Sequence, residues 1–220
     1  MISVILPAGR SQEQAQRVVN RLCANEAKLD LIVTSPGFEL IGVRNVRDDM
    51  AGSSRSIALA VTAAKGDFIA WLSDICLPAR GALDDMLRFV DTPQDYPFIG
   101  EFRTVPPVTP GHYRVCTITG RQYARWGMMS RRSIELCGGF FDPAFVNHYG
   151  DVDLSLRCWK ARGSVATCRG ATVELDGHHH VSTAPLSADE ALFIERWRGD
   201  YPTMRSDNTA EWNVDREIPL

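Results

Sequence analysis

The stretch GGFFDPAFVNHYGDVDLSLR, residues 138–157, is the most informative part of the chain. Its two leading glycines allow backbone conformations that a Cβ would disfavour, and its phenylalanines provide an apolar anchor. After Gly150, apolar residues recur at helical spacing and basic residues follow at the far end, as a helix dipole favours. The pattern predicts a turn followed by a helix that begins near Asp151 and Asp153.

These two aspartates admit two interpretations. In the first, Asp151 is the N-cap of the helix and Asp153 is a first-turn partner of its dipole, so both are structural. In the second, a carboxylate at the edge of a rigid element carries chemistry. The local pattern leaves both interpretations open.

Motifs along the chain resemble, in order, those of the family 2 glycosyltransferases. The sequence GGF-D-P-x-F followed by GDVDLSLR is similar to the family's GGFDExF and EDVDLSLR. The opening ISVILPAGR is similar to its first strand and turn, and GSSRS at 52–56 to its G-x-x-x-R-N helix start. AKGDFIAWLSDICLPARGAL at 64–83 is similar to its GDYIxFLDxDD segment. The resemblance covers about residues 1–183 and implies a GT-A fold and sugar transfer with inversion, as in polysaccharide biosynthesis.

Length and composition bound the protein class. The 220 residues, 45% of them hydrophobic, suffice to bury a substantial core. No apolar run approaches the ~20 residues of a membrane span and no signal-peptide pattern is present, so the chain is predicted to be cytoplasmic, with peripheral membrane association left open. Interspersed charges summing to −3 disfavour nucleic-acid binding. The six cysteines lack CxxC spacing, which predicts buried free thiols.

Alternating strand and helix signals predict an α/β fold of the GT-A, Rossmann-like type. A central, mostly parallel mixed sheet is expected to have helices on both faces. Predicted strands are 2–7, 29–34, 39–43, 68–72, 98–105, 121–130 and 164–174. Residues 1–183 are expected to form the domain, and 184–220 a C-terminal helix and tail packed on or near it, the last twenty residues being loosely attached.

Ligands of such sheets bind at the carboxyl ends of the strands, so residues that follow the strands are predicted to line a donor site. The candidates are Pro7, Gly9, Arg10, Thr34, Ser35, Arg55, Ser73 and Asp74. The resemblance implies a nucleotide-diphosphate sugar as the donor. Thr34 and Ser35 stand where family members carry a base-binding aspartate. Arg55 matches the arginine of the R-N signature, with a helix-surface arginine as the alternative.

The resemblance also implies that Asp151 is the general base of inversion. Gly150 stands where the family has a glutamate, and the loss of that like charge eases ionisation of Asp151. Asp153, His148 and Tyr149 are predicted on the acceptor side. The acceptor would be a hydroxyl of a glycan, a lipid or a protein.

The family's Asp-x-Asp element holds Mn²⁺ or Mg²⁺, hard cations that prefer oxygen ligands. Here the segment is Ser73-Asp74-Ile75, which keeps one carboxylate, and Asp74 as a simple turn residue is the alternative. His178 and His180 share one side if their segment is extended, and they are predicted as further metal ligands. A surface loop is the alternative for them.

Three functions are therefore considered, in this order. The first is an active inverting glycosyltransferase. The second is a degenerate GT-A domain that acts as a binding or scaffolding module. Three departures from the family motifs suggest it, at Thr34/Ser35, Ser73/Ile75 and Gly150. The third is a sugar nucleotidyltransferase, because LPAGR at 6–10 is similar to the phosphate loop of that class.

Overall fold

The computed structural model describes residues 1–9, 11–25, 29–48, 52–92, 95–105, 112–176, 188–204 and 213–219. Three site candidates, Arg10, His178 and His180, lie outside these ranges, so their contacts stay predictions. Within the described ranges, no helix combines the length and the apolar character needed to cross a membrane.

Strands and helices alternate through the first half of the chain. In order, the elements are β1 (Ile2–Pro7), α1 (Gln12–Asn25), β2 (Leu29–Ser35), β3 (Arg44–Arg47), α2 (Ser53–Ala60) continued by a 3₁₀ turn (Val61–Ala63), β4 (Phe68–Trp71), β5 (Cys76–Pro78), α3 (Ala82–Val90) and β6 (Phe98–Val105). The second half continues with β7 (His112–Ile118), β8 (Arg121–Gln122), β9 (Gly127–Ser130), α4 (Arg131–Leu136), α5 (Gly150–Lys160), β10 (Ser164–Leu175), α6 (Ala188–Trp197) and β11 (Asn213–Pro219).

The main sheet has the strand order β3-β2-β1-β4-β9-β6-β10-β5. Strands β3, β2, β1 and β4 are parallel, and β6 is parallel to β10. Strand β9 runs antiparallel between β4 and β6, and β5 lies antiparallel at one edge. The predicted α/β class with a mostly parallel mixed sheet is confirmed.

Helices cover both faces of this sheet. Val4 and Leu6 of β1 belong to the apolar cluster that includes residues of α1 and α3. Ile5, between them, belongs to the cluster that includes residues of α2 and α5. Successive residues of a strand point to opposite faces, so a strand that is apolar throughout needs a helical cover on each side.

A second sheet has the order β11-β7-β8 and is antiparallel throughout. Strand β11 pairs with β7 along its whole length, so the expectation of a loosely attached C-terminus is wrong for residues 213–219. Next to this sheet, Phe193 and Trp197 of α6 pack with Val152 and Leu156 of α5. The boundary predicted near residue 183 falls outside the described residues and stays a prediction.

Two predicted strands have other bounds. Residues 39–43 lie before the third strand, whose backbone pairs with β2 from Arg44 onward. Residues 121–130 form two strands, β8 and β9, because the side chains between them face different clusters. Tyr123 packs with α6, Ala124 with the α2 and α5 side of the sheet, and Trp126 with the α1 and α3 side. No single strand face presents side chains in three directions.

Candidate active site

The carboxyl ends of β1 and β2 lie side by side. Pro7 is paired with Thr34, and the amide of Ala8 donates to the carbonyl of Thr34 at 2.8 Å. On the other side of β1, the amide of Leu72 donates to the carbonyl of Ile5 at 3.1 Å. The segments that follow β1, β2 and β4 therefore open at one edge of the sheet, as the sequence predicts for a donor crevice.

The two hydroxyls predicted at the end of β2 differ in their hydrogen bonds. Ser35 Oγ donates to the carbonyl of Phe38 and closes the turn after the strand. Thr34 is 1% exposed, and its Oγ1 has no hydrogen-bond partner among the described residues. A buried hydroxyl without a partner costs about 1–3 kcal/mol, which a ligand that bonds to it would recover. Thr34 is thus the better supported of these two donor candidates.

Ser73 and Asp74 form a turn between β4 and β5. The amide of Cys76 donates to the carbonyl of Ser73 at 2.9 Å, and the amide of Ile75 donates to Ser73 Oγ at 3.3 Å. Asp74 is 5% exposed and has contacts within the protein, and Ile75 is part of the core. These contacts agree with the turn interpretation of Asp74.

This segment does not fit Mn²⁺ or Mg²⁺. Both cations need oxygen ligands that face the ligand space, whereas the one carboxylate here, Asp74, is buried against its own protein. No group of three or more His, Cys, Asp or Glu side chains suited to a metal occurs in the described part of the chain. The prediction of Asp74 as a metal ligand is therefore not supported by its geometry.

Arg55 connects α2 to the loop before α5. Its Nε donates to the carbonyl of Pro143 at 2.8 Å, and its amide donates to the carbonyl of Val146 at 3.1 Å. The side chain therefore has a structural contact, while its predicted role in donor binding stays a prediction.

Asp151 lies in the first turn of α5. The N-cap is Tyr149, with a left-handed φ of 64°, so the interpretation of Asp151 as the N-cap is wrong. Asp151 Oδ1 accepts a hydrogen bond of 2.9 Å from the amide of Val152. Burial raises the pKa of Asp151 to about 6, against the opposing effects of that amide and of the charges on Arg125 and His148.

Gly150, where the resemblance implies a glutamate, is a point of close approach. A Cβ at Gly150 would lie 2.7 Å from Cδ1 of Phe141 and 2.9 Å from Cβ and Oγ of Ser54. Real Cβ atoms do not pack this closely, so α2 and the Phe141 ring reach α5 only because this position is a glycine. Packing therefore explains why this position is a glycine.

Helix α6 organises the loop that leads into α5. The carboxylate of Asp189 accepts from the amides of Val146, Asn147 and His148 at 2.9, 2.7 and 2.9 Å. Burial alone would raise the pKa of Asp189, but these hydrogen bonds lower it below the ordinary value. The sequence indicated only a helix start here. The signal for that start is the capping-box pattern from Ser187 to Glu190, which does not reveal a partner about 40 residues away.

The predicted acceptor-side residues separate into two groups. The ring of Tyr149 stacks on Phe193 at 4.7 Å between centroids, which holds it, with His148, beside Asp151. Asp153 is fully buried. It accepts from Arg157 Nε at 2.9 Å, and from Arg196 Nη1 and Trp197 Nε1 at 3.0 Å. Asp153 thus joins α5 to α6, and this geometry argues against contact with an acceptor.

An open cavity of about 280 Å³ lies on the GGFF turn. The two guanidinium groups that line the cavity already have partners within the protein. Arg157 donates to the carbonyls of Cys137 and Gly139, and Arg196 pairs with Asp142 at 2.7 Å. The cavity does not include Asp151, so we do not assign it to the donor. Its lining residues are Gly138, Gly139, Phe140, Phe141, Asp142, Pro143, Arg157 and Arg196.

A buried polar group that the sequence did not reveal lies on β6. Glu101 is 4% exposed, and its Oε2 accepts from Gln122 Nε2 at 2.7 Å and from Thr167 Oγ1 at 3.0 Å. Burial raises the pKa of Glu101 to about 8, so the carboxyl is mostly protonated at neutral pH. Arg125, between β8 and β9, is a second residue that the sequence did not reveal, because its segment was predicted to be continuous strand.

Comparisons with known proteins identify other structures that share this fold. No protein-family model matches the sequence, and no curated protein matches it. Among solved structures, GalNAc-T7 with UDP, GalNAc and Mn²⁺ matches with a TM-score of 0.64 and 11% identity, over 82% of this chain and 44% of that one. Staphylococcus aureus TarS 1–349 in complex with UDP-GlcNAc matches with a TM-score of 0.64 and 12% identity, over 94% and 69%.

Both matched proteins are GT-A glycosyltransferases, so the chain has the fold of that class. The chain spans less than half of the GalNAc-T7 structure. The chain also spans only 44% of a longer TarS structure, which it matches with a TM-score of 0.59. At 11–12% identity, the likeness establishes the fold, and the roles of individual residues rest on their own geometry.

Proposed function

We propose that the protein is an inverting glycosyltransferase of family 2 that moves a sugar from a nucleotide-diphosphate sugar to an acceptor hydroxyl in the cytoplasm. The family assignment rests on the ordered motifs in residues 1–183, and the reaction class on the GT-A fold and the site. A uridine diphosphate sugar is the first donor to test, because the matched structures hold UDP or UDP-GlcNAc.

The observation that carries the proposal is the environment of Asp151. A carboxyl with a pKa of about 6 is a stronger base than one at its ordinary 3.8, and it is still mostly ionised at pH 7. The amide of Val152 fixes one oxygen of this carboxylate. The other oxygen, Oδ2, is the one that we assign to the acceptor proton.

In the proposed reaction, the acceptor hydroxyl lies within hydrogen-bond reach of Asp151, beside His148 and Tyr149. Asp151 takes the hydroxyl proton while the oxygen forms a bond to the anomeric carbon, and the bond from that carbon to the diphosphate breaks. Attack comes from the face opposite the departing diphosphate, so the anomeric configuration inverts.

The donor is proposed to bind at the edge where β1, β2 and β4 end. The unpartnered hydroxyl of Thr34 would bond to the nucleoside, and Pro7 and Gly9 would line the turn beside it. Arg55 is proposed to contact a phosphate. Arg10 is a further candidate for the same contact. We derive no step through a metal ion, because the described residues do not fit one.

The second candidate is a non-catalytic binding or scaffolding domain. It is favoured by two packing observations: the burial of Asp74 and the tight fit around Gly150. The family motif would present a carboxylate to a ligand at each of these places, whereas here Asp74 is buried and Gly150 has no side chain. This candidate predicts that no nucleotide sugar is turned over.

Two measurements on the same protein test these candidates. The first is thermal unfolding with UDP, GDP and their sugars, with Mn²⁺ or with chelator, since a ligand that binds the native state raises the melting temperature. The second is release of nucleoside diphosphate by wild type, Asp151→Asn and the control Asp91→Asn, whose exposed aspartate ends α3 on the opposite face of the sheet. Turnover retained in Asp151→Asn would remove Asp151 as the base, and no shift with any nucleotide would remove the donor site.

A further inference from the structure

An arginine without a partner lies at the carboxyl end of β6. Arg103 is half-buried, and its Nε is shielded from water without a hydrogen-bond acceptor. Its guanidinium forms no ion pair with any residue that the structure describes. A buried N–H of a charged group destabilises the protein when it is left unpaired. An acceptor from a bound ligand would remove that penalty.

The alternation of side chains along β6 places Arg103 on the face of the sheet that α5 covers. Ile99, four residues earlier, belongs to the apolar cluster that includes residues of α5. Phe102 belongs to the cluster on the other face, with residues of α1 and α3. Successive residues of a strand point to opposite faces, so Arg103 points to the same side as Ile99.

The first turn of α5, with Asp151, lies at this same end of the sheet. Near the other end of the helix, Cys158 Sγ donates to the carbonyl of Pro97, which precedes β6, at 3.4 Å. At the beginning of the helix, Gly150 packs against Ser54 in the first turn of α2. Helix α2 follows the parallel strand β3 and therefore starts at the edge where the strands have their carboxyl ends. Helix α5 thus runs back along β6, and its start lies near the end of that strand.

Hydrogen bonds connect the end of β6 to the first turns of α5. The residue before Arg103 donates its amide to the carbonyl of Trp126 at 2.9 Å. Two residues before Trp126, the amide of Ala124 donates to Ser155 Oγ at 3.2 Å. Ser155 Oγ in turn donates to the carbonyl of Asp151 at 2.7 Å. The backbone of Arg103 and that of the proposed base therefore belong to one short hydrogen-bonded framework.

The surroundings of Arg103 carry an excess of positive charge. Arg125, on the segment next to β6, and Arg114, on β7, share the carboxylate of Asp215 at 3.7 and 3.6 Å. Burial raises the pKa of Glu101, which lies on the same side of β6 as Arg103, to about 8, so this carboxyl is mostly neutral at pH 7. Apart from the proposed base, three arginines thus face one ionised carboxylate.

We propose that the acceptor carries an oxyanion, a phosphate or a carboxylate, near its reacting hydroxyl, and that Arg103 binds this group. A guanidinium presents its N–H groups in a planar fork that matches two oxygens of an oxyanion. A neutral acceptor would leave the Nε–H of Arg103 unpaired. The identification of the ligand as the acceptor rests on the proposed function, whereas the anion site itself does not.

Calorimetric titration without a donor tests the anion site. The probes are glycerol 3-phosphate and glucuronate, and their neutral counterparts are glycerol and glucose. We expect the wild type to bind at least one of the two anions, about tenfold or more tightly than its neutral counterpart. The anion that binds more tightly identifies the group as a phosphate or a carboxylate. If neither anion binds more tightly than its neutral counterpart, the proposal is wrong.

Two variants locate the site. Arg103→Gln should weaken binding of the anion by about tenfold or more, because it removes the charged donor. It should fold, as judged by circular dichroism, since Arg103 has no partner to lose among the described residues. The matched control is Arg88→Gln, whose exposed arginine lies on α3, on the other face of the sheet, and it should bind as the wild type does. Equal binding by the wild type and Arg103→Gln would overturn the proposal.

A measurement on the wild type does not depend on how the Gln variant folds. The Nε–H signal of Arg103 in ¹⁵N NMR spectra can be identified by its absence in Arg103→Lys. It should shift when the bound anion is added and stay in place with glycerol or glucose. A signal that does not respond to either anion would contradict the site.

Turnover separates this proposal from the transferase function. If both hold, Arg103→Gln raises KM for an anionic acceptor more than it lowers kcat, because the contact is one of binding. Anion binding at Arg103 in a protein that turns over no nucleotide sugar would support the site and contradict the transferase function. Equally fast transfer to neutral and anionic acceptors by the wild type would overturn the anionic acceptor and leave the transferase function standing.

Discussion

Replacement of Asp151 by Asn should stabilise the fold while it removes the proposed base. The amide keeps an oxygen that accepts from Val152 and cannot ionise. In the wild type, folding raises the pKa of Asp151 from 3.8 to about 6, so the folded state resists ionisation. Above pH 6 the ionised carboxylate therefore destabilises the folded wild type. The Asn variant has no charge at this position and avoids that loss of stability.

The size of this effect follows from the pKa shift. A shift of about two units at about 1.4 kcal/mol per unit gives a ceiling of about 3 kcal/mol. Because Asp151 is partly exposed, we expect about 1–2 kcal/mol at pH 7.5. Asp151 keeps its proton up to about pH 6 in the folded state, but only up to about pH 3.8 in the unfolded state. The advantage of Asn should thus fall to about half at pH 5 and vanish below about pH 3.8.

Urea unfolding of wild type and Asp151→Asn at pH 7.5 and pH 5 measures this difference. The control Asp91→Asn should show no comparable gain at either pH, because Asp91 is exposed. A variant less stable than the wild type at pH 7.5, or a difference that does not change with pH, would refute the reasoning. Either result would mean that the carboxylate is better stabilised in the folded state than its burial implies.

Three further substitutions test other parts of the account. Glu101→Gln should gain stability over the wild type as pH rises from about 4.5 to 8, by at most about 5 kcal/mol, because burial holds the proton of Glu101; equal pH dependence of the two proteins in denaturant titrations would contradict this. Asp189→Ala should cost about 2–4 kcal/mol and speed amide exchange at 146–148, whose N–H groups lose their acceptor; unchanged exchange there would contradict the contact. Gly150→Glu, which introduces the glutamate of the motif that this segment resembles, should lower the melting temperature rather than raise turnover, since its Cβ meets Phe141 and Ser54; a stable, faster enzyme would show that the clash relaxes.

Several strands of the main sheet could be predicted from sequence because they are largely buried, whereas β3 and β9 have other bounds and β5 was not predicted. The apolar run of β1 has the predicted bounds, and β2 and β6 have theirs within one residue. Strand β11, with the sequence NVDREIP, has no such run, and it forms because β7 offers a paired backbone about 100 residues earlier in the chain. Local patterns do not reveal non-local pairing.

The candidate site could be predicted only in part for a similar reason. Asp151 stands out because the motif and the helix start occur in the same short segment. Arg125, Glu101 and Asp189 gain their significance from partners distant in sequence, such as Asp215 and the amides of 146–148. Asp153 matches the motif equally well, but its partners on α6 make it structural.

The central claim is that Asp151 is the base of sugar transfer from a nucleotide donor. Turnover of UDP-GlcNAc by wild type and Asp151→Asn, with UDP binding measured in parallel, tests it most directly. The account predicts a loss of about 10²–10⁴-fold in kcat with the affinity for UDP unchanged. Equal turnover in the two proteins, or no turnover of any nucleotide sugar by the wild type, would contradict it.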